Sequence, residues 1–369
     1  MSLANGRHFL SIPGPSVFPD AVLQAMHRPA INIYEGELVE MVETIFRDLR
    51  TVACTKQTPV MYISNGHGAW EAAIANTLDA GDKVLVLESG RFAGGWGEMA
   101  EAFGVEVEVQ NAPERSAVDP QMVEGRLRAD ANHEIKAILV VQIDTASGVW
   151  NDIAAIRKAI DAAGHPALYM VDCMASLGCV PYHPDDWGVD VTTSGCQKGL
   201  MTPPGLGFLH VSEKARAARD ALSRGAYYWD WNRRIEPEIF YQNFCGTAPV
   251  QHIYGLRKAL DMMLAEGMEA IWARHASLAK GVRAAINHWG QSGPLELNIL
   301  DAAQRSDSVT TIRTGEINGD AMRAFAEASL GVTLGNGLGE FAAGTFRIGH
   351  MGHVNAPMIL GTLGATEVA

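Results

Sequence analysis

The chain has 369 residues, which is too long for one ordinary hydrophobic core and suits a large domain with a smaller one beside it. Hydrophobic residues make up 47% of it and charged residues 19%, a composition that excludes an intrinsically disordered protein. The formal net charge of −13 argues against nucleic acid or an anionic membrane as a partner, and the apolar runs are too short to span a bilayer.

The five cysteines indicate a reduced protein. They form no Cys-x-x-Cys pair and their number is odd, so we interpret them as small core residues and expect a cytoplasmic location. We expect no metal site. An acidic protein of this kind can still bind a small anion, but only through a local positive site.

Short apolar runs alternate with helical patterns through the first half of the chain. The predicted strands are 59–64, 83–87, 136–143, 167–172 and 189–194, and the predicted helices between them include 69–78, 97–103 and 153–163. This alternation predicts an α/β fold with a mostly parallel sheet covered by helices on both faces. In such sheets, ligands lie beyond the carboxyl ends of the strands.

The pattern changes at about residue 250. A long helical region, 251–290, precedes a strand-like segment at 308–313, a helical segment at 319–329 and a strand-like segment at 345–348. We therefore expect a second, α+β domain hinged on a long helix. The predicted division is an N-terminal arm over 1–20, a large domain over 21–255 and a small C-terminal domain over 256–369.

A glycine-containing turn, Asn-Gly-His-Gly at 65–68, follows the first predicted strand and opens a helix. Free backbone N–H groups and the positive end of the helix dipole suit a phosphate there, and Gly66 lets the backbone approach closely. The turn matches neither a Walker A loop nor a dinucleotide fingerprint. Taken alone, it favours a plain strand-to-helix connection in which His67 is structural.

Three charged side chains stand at or in predicted strands. Asp172 ends an apolar strand and can either hold a proton on a pyridine nitrogen or cap the following turn. Lys198 follows the next strand among small residues; desolvation there would lower its pKa and free the amine for a Schiff base, the alternative being a solvated surface lysine. Arg347 lies in a late apolar strand and suits either a bidentate grip on a carboxylate or a structural ion pair.

Together, the motifs resemble the class V aminotransferases, which are pyridoxal-phosphate (PLP) enzymes, and within them the serine–, alanine– and aspartate–glyoxylate branch. The motifs that carry the resemblance are VDCMASLG at 171–178, SGCQKG at 194–199 and PPG at 203–205. The similarity extends over nearly the whole chain, through the segments 12–16, 68–73, 337–340 and 346–350.

The resemblance implies PLP fold type I, with a mostly parallel seven-stranded sheet in the large domain. It implies that Lys198 forms the Schiff base and carries the proton between the substrate Cα and the cofactor C4′, that Asp172 pairs with the pyridinium nitrogen, and that Arg347 binds the substrate carboxylate. The other implied cofactor contacts are Asn65, Gly66, His67, Phe92, Thr145, Met174 and Gln197, together with Thr247, which would reach the phosphate of the neighbouring subunit in a homodimer.

The implied reaction transfers an amino group from serine, alanine or aspartate to glyoxylate or pyruvate. Pyridoxamine–pyruvate aminotransferase is the second candidate, because the segments 259–261, 269–275 and 347–352 resemble that enzyme. Against it, Asn65 replaces an acidic residue found there and Leu338 replaces an arginine.

Two other readings share the implied fold. A cysteine desulfurase needs a cysteine in a recognisable catalytic loop, and this sequence offers none. A non-catalytic PLP-fold binding protein is disfavoured because Lys198, Asp172 and Arg347 are all intact.

Overall fold

The computed structural model describes residues 3–223 and 225–369, and it begins with a short arm and two helices. These elements are β1 (Phe9–Ser11), α1 (Asp20–Met26) and α2 (Glu37–Val52). α2 is amphipathic, and its buried positions, which include Leu38, Val42, Ile45 and Leu49, recur every three or four residues. This spacing places one stripe of the helix against the main hydrophobic core.

The next part of the chain alternates strands and helices. In chain order its elements are β2 (Thr58–Ser64), α3 (Gly66–Ala75), β3 (Lys83–Glu88), α4 (Arg91–Ala102), β4 (Glu106–Asn111), α5 (Pro120–Ala129), β5 (Ile135–Val141), β6 (Ile143–Asp144), β7 (Val149–Trp150), α6 (Ile153–Ala163), β8 (Leu168–Asp172), β9 (Val191–Gly195), β10 (Gly205–Val211), α7 (Glu213–Ala221), α8 (Asn232–Ile235) and α9 (Val250–Glu266).

Seven of these strands form the larger sheet, in the order β2-β10-β9-β8-β5-β3-β4. β10 runs antiparallel to both of its neighbours, and the other pairings are parallel. Alternate residues of a strand face opposite sides of a sheet, so Leu85 and Leu87 enter one core while Val84 and Val86 enter the other. The predicted mostly parallel, seven-stranded α/β sheet is confirmed.

The last part of the chain forms a smaller sheet with its own core. Its elements are α10 (Met268–Trp289), β11 (Glu296–Leu297), β12 (Val309–Arg313), α11 (Gly319–Leu330), β13 (Val332–Asn336), β14 (Thr345–Gly349) and α12 (Ala356–Val368). The strand order is β1-β13-β14-β12-β11, so the N-terminal strand completes this sheet, pairing in parallel with β13. The domain limits drawn from the sequence remain a prediction.

Some predicted elements differ from the structure. The helical region 251–290 is two helices, because Gly267 adopts φ +86°, a conformation that ends α9 and that L side chains rarely adopt. α4 begins at Arg91 rather than at residue 97. The strands β4 and β10 were not expected from the apolar runs. Within the described part of the chain, no helix combines the length and apolarity needed to cross a membrane.

Candidate active site

A cavity of about 270 Å³ opens at the carboxyl ends of β2, β5, β8 and β9. Its position agrees with the expectation for a largely parallel sheet. The lining includes every residue that the resemblance places around the cofactor within one chain, namely Asn65, Gly66, His67, Phe92, Thr145, Asp172, Met174, Gln197 and Lys198.

The Lys198 amine lies inside this cavity, which excludes the interpretation of a solvated surface lysine. The amine donates to the main-chain carbonyl of Pro13. The N-terminal arm also holds the lysine backbone, because Ser16 N donates to Gln197 O at 2.9 Å and Ser16 Oγ donates to Lys198 O at 2.7 Å. Burial, reinforced by the nearby positive charge of Arg347, lowers the pKa of Lys198 to about 8.

Asp172 ends β8 and is 2% exposed. Its two oxygens have different partners: Oδ1 accepts the amide of Met174 at 2.5 Å, and Oδ2 accepts the indole Nε1–H of Trp70 at 3.1 Å. The first contact is the turn cap considered from the sequence, but it uses only one oxygen. Burial raises the pKa of Asp172 to about 7 despite both donors.

Arg347 lies in β14, 6% exposed, and its guanidinium is held by carbonyl groups. Nε donates to Asn336 O at 2.6 Å, and Nη1 donates to Thr145 O at 3.0 Å. No carboxylate of the described residues lies within ion-pairing distance of it, so the alternative of a structural ion pair is wrong. Burial lowers the pKa of Arg347 to about 10, which still leaves it charged at neutral pH.

The turn at 65–68 connects β2 to α3, as its sequence indicates, and it borders the cavity. Asn65 caps α3, since its side chain accepts the amides of His67 at 3.1 Å and Gly68 at 3.3 Å. Gly66 is needed for close approach, because a Cβ at this position would lie 3.3 Å from Sδ of Met174 and nearer still to its methyl group. The helix N-terminus thus faces the cavity while its first turn is already partly capped.

Thr247 does not line the cavity of its own chain. It is exposed in the loop just before α9. Its predicted contact with the phosphate of a neighbouring subunit therefore remains a prediction.

Two residues of the site were not found from the sequence. Asp144 is fully buried and accepts the amides of Phe92 at 2.8 Å and of Ala146 at 2.9 Å, so one carboxylate fixes the backbone on both sides of the cavity. Trp70 lines the cavity and contacts Asp172. The only sequence signals were an acidic residue directly before Thr145 and a bulky indole in an otherwise small-residue helix.

Comparison with known proteins identifies a family. The model for the class-V aminotransferases matches residues 12–346. A serine–glyoxylate aminotransferase from Methylorubrum extorquens is 38% identical, with 99% of this chain and 91% of that protein covered.

Two solved structures have the same fold. Alanine–glyoxylate aminotransferase from Nostoc superimposes with a TM-score of 0.90 at 26% identity, covering 98% of this chain and 95% of that one. Pyridoxamine–pyruvate aminotransferase from Mesorhizobium loti gives a TM-score of 0.89 at 30% identity, covering 100% of this chain and 93% of that one.

The cavity fits PLP, the cofactor of this family. It offers an amine with a lowered pKa at Lys198, a buried carboxyl group at Asp172 and a helix N-terminus at Gly66. The buried Oε1 of Gln197 has no hydrogen-bond partner among the described residues, which leaves this side-chain amide for a bound group. The chain belongs to the class-V aminotransferases, a family of PLP-dependent enzymes of fold type I.

Proposed function

We propose that the protein transfers the amino group of a small amino acid, which is serine, alanine or aspartate, to glyoxylate or pyruvate. One observation carries this proposal: the Lys198 amine and the Asp172 carboxyl group face one cavity, and Arg347 is bonded to a carbonyl of its wall. An amine, an acid and a guanidinium in this arrangement suit a reaction in which an α-amino acid is held by its carboxylate while a proton moves at its α carbon.

PLP, when bound, supplies an electron sink for the electron pair released at the substrate α carbon. Lys198 would hold the cofactor through its amine, and the same amine would take up and return the proton at the substrate α carbon. Its pKa of about 8 leaves a useful fraction of the amine neutral near physiological pH. Asp172 would hold a proton on the pyridine nitrogen, and the half-buried ring of Phe92, which lines the same cavity, would pack against the cofactor.

Arg347 binds the carboxylate that is common to the amino donor and the 2-oxo acceptor. Its contacts with Asn336 and Thr145 use only part of the guanidinium and fix its plane, so the remaining N–H groups can form a bidentate pair with a substrate. Glyoxylate has no side chain and makes the smallest demand on a cavity of about 270 Å³. We therefore expect glyoxylate to be the preferred acceptor.

A homodimer with shared active sites is part of the proposal. Two apolar side chains are exposed at the surface: Tyr227 is 71% exposed, and Ile63, near the end of β2, is 38% exposed. Tyr228 OH donates to Ile63 O, so this patch is continuous with the strand that leads into the 65–68 turn. An exposed apolar patch of this kind is typical of an interface, and Thr247 lies beside it, close to Cys245, whose thiol donates to Tyr227 O.

The free cysteines support a cytoplasmic location for the enzyme. Of the five, Cys173, Cys179 and Cys196 are buried, and none is in a disulfide. Burial raises the pKa of the Cys173 thiol well above its ordinary value and raises that of Cys196 to about 11, as expected for inert core thiols rather than for reactive ones.

The proposal is tested by a panel of amino donors. Serine, alanine and aspartate are offered separately with glyoxylate and with pyruvate, and the products are measured. Borohydride reduction of the holoenzyme followed by peptide mapping should place the phosphopyridoxyl label on Lys198. A label on another lysine would show that this assignment is wrong.

Pyridoxamine–pyruvate transamination is the second candidate, and the similarity to a solved enzyme of that name favours keeping it. Two residues count against it: the Asn65 side chain is engaged as a helix cap, and Leu338 is apolar. Rapid turnover of free pyridoxamine with pyruvate, faster than that of any amino acid in the panel, would replace the first proposal by this one.

A further inference from the structure

Trp70 connects the first turns of α3 to the acidic end of the cavity. It is 3% exposed, its Nε1–H donates to Oδ2 of Asp172 at 3.1 Å, and its ring stacks on Trp96 with centroids 5.8 Å apart and planes 13° apart. The edge of the same indole meets Phe92 at a centroid distance of 6.5 Å. These contacts leave the indole little freedom to turn away from the carboxylate.

Two donors orient the carboxylate of Asp172, and each one binds a different oxygen. The Met174 amide fixes Oδ1 at the turn, but one donor alone would leave the carboxylate free to rotate about its last bond. Trp70 engages the second oxygen and so fixes the plane of the group. An indole N–H is a donor only, so at this position it favours the charged carboxylate over the protonated acid.

We propose that Trp70 is the positioning residue for Asp172: its indole N–H keeps the carboxylate ionised and directed at the bound pyridine nitrogen. This inference rests on the proposed function, because it concerns the acid that serves the cofactor. A carboxylate that is nearly free of water depends on its few protein donors to stay charged. Removing one of two donors should therefore shift the shared proton from the pyridine nitrogen towards Asp172.

The structure supplies a matched control in the neighbouring ring. Trp96 is fully buried in the same stack, but its Nε1 has no hydrogen-bond partner among the described residues. Trp70→Phe and Trp96→Phe therefore remove the same number of atoms from one aromatic cluster. Only the first substitution removes a donor from Asp172.

The experiment compares the two variants and the wild type as holoenzymes loaded with PLP that carries ¹⁵N at the ring nitrogen. In Trp70→Phe we expect the nitrogen resonance to move towards the unprotonated position at neutral pH, and kcat to fall roughly tenfold with the donor KM unchanged within about twofold. Trp96→Phe should keep the wild-type resonance and kcat. Equal changes in both variants, or a fully protonated nitrogen in Trp70→Phe, would overturn the proposal.

A second measurement covers the case in which Trp70→Phe does not fold. The indole ¹⁵N–¹H spectrum of the wild type, which has eight tryptophans, is compared with that of Asp172→Asn. One solvent-protected indole resonance should shift by more than all the others; if none does, the proposed contact is absent. Both spectra can be read on PLP-loaded protein even if no donor in the panel is transaminated, so failure of the proposed function is distinguished from failure of this inference.

Discussion

Lys198 and Asp172 have pKa values that are shifted towards neutrality from opposite sides, and burial is the main cause in both cases. Loss of water disfavours the ammonium of one and the carboxylate of the other. Groups that titrate near the working pH are suited to moving protons. Arg347 is buried too, yet it stays charged because its ordinary pKa starts so high.

The first expectation concerns the pH dependence of cofactor attachment. Only the neutral amine attacks the aldehyde, so the rate at which PLP attaches to cofactor-free protein should rise by about tenfold per pH unit and level off near pH 8. Stopped-flow absorbance measures this rate directly. In Arg347→Gln the plateau should move to higher pH, because the charge of Arg347 helps to lower the pKa of Lys198. A plateau near the ordinary lysine value of 10.5 would contradict the assigned environment.

The second expectation concerns Asp172→Asn. An amide cannot hold the pyridinium proton by charge, so kcat should fall by about 10²–10³ while the cofactor stays bound. Asp186→Asn, at an exposed position with no assigned contact, is the control and should keep wild-type kcat. Turnover within a few-fold of the wild type in Asp172→Asn would show that the residue is only a turn cap.

The same variant has a consequence for stability. The carboxyl group of Asp172 has a pKa of about 7 in the folded protein against an ordinary value of 3.8, so the folded state binds its proton more tightly than the unfolded state. Stability from this group is therefore present at low pH and lost as the pH rises from about 4 to about 7. Urea unfolding of the cofactor-free protein measures the free energy of unfolding of the wild type and of Asp172→Asn at each pH. The wild-type value should fall relative to that of the variant as the pH rises from about 4 to about 7. A difference between the two free energies that does not change with pH would contradict this expectation.

At the scale of elements, the N-terminal arm is part of the active site. Gly14 has φ +124°, and a Cβ built there would lie 2.6 Å from Cε and 2.7 Å from Cδ of Lys198. Pro13 and Ser16, on either side, bond to the lysine amine and its backbone carbonyl. The arm therefore has to pass the lysine side chain without a side chain of its own at this point.

The third expectation follows from that close approach. Gly14→Ala should reduce the fraction of PLP that borohydride fixes to Lys198 by roughly tenfold or more, since the added methyl group occupies the space of the lysine side chain. Gly6→Ala is the matched control: Gly6 lies in the same arm with φ +145°, but a Cβ there would meet nothing within 4 Å. The control shares the backbone strain, so equal losses in the two variants would show that strain, and not the contact with Lys198, is responsible.

Local pattern was enough to predict the central elements of the sheet and the motifs at their ends. β5, β8 and β9 are buried on both faces, so they stand out as apolar runs, and α6 was predicted with its observed bounds. β4 is an edge strand, Glu-Val-Glu-Val-Gln-Asn, with few buried side chains, and it gives no such run. β10 contains two glycines, Gly205 and Gly207, and it begins within the PPG motif at 203–205, so its sequence resembles a turn rather than a strand.

The contacts that complete the site could not be predicted in the same way. The bond from Trp70 to Asp172 joins residues from two elements, and only the packing of α3 against the sheet decides which groups meet. The bonds from Asp144 to the Phe92 backbone and from Lys198 to Pro13 are of the same kind. The family motifs gave residues that line the cavity, but not the residues that hold them in place.

At the scale of the whole molecule, the fourth expectation tests the dimer. Tyr227→Glu places a charge in the exposed apolar patch and should increase the dissociation of the dimer and lower PLP affinity, if Thr247 serves the partner's phosphate. Light scattering and equilibrium dialysis measure the two effects. Phe325→Glu, at a 45% exposed position on α11, should change neither. A stable, fully active monomer of the wild type would contradict the shared site.

The pairing of β1 with β13 joins two segments that are far apart in the sequence, so it affects when the active site can form during synthesis. Phe9 pairs with Val332 and Ser11 with Leu334, so β1 gains its partner in the sheet only after the residues up to β13 have been synthesised. The residues that follow β1 are those that fasten the Lys198 loop. A nascent chain that has already formed its larger sheet, but in which β1 is still unpaired, therefore lacks an arm that is fixed in place against the Lys198 loop. We expect tight cofactor binding to begin only after β13 has been synthesised and has paired with β1.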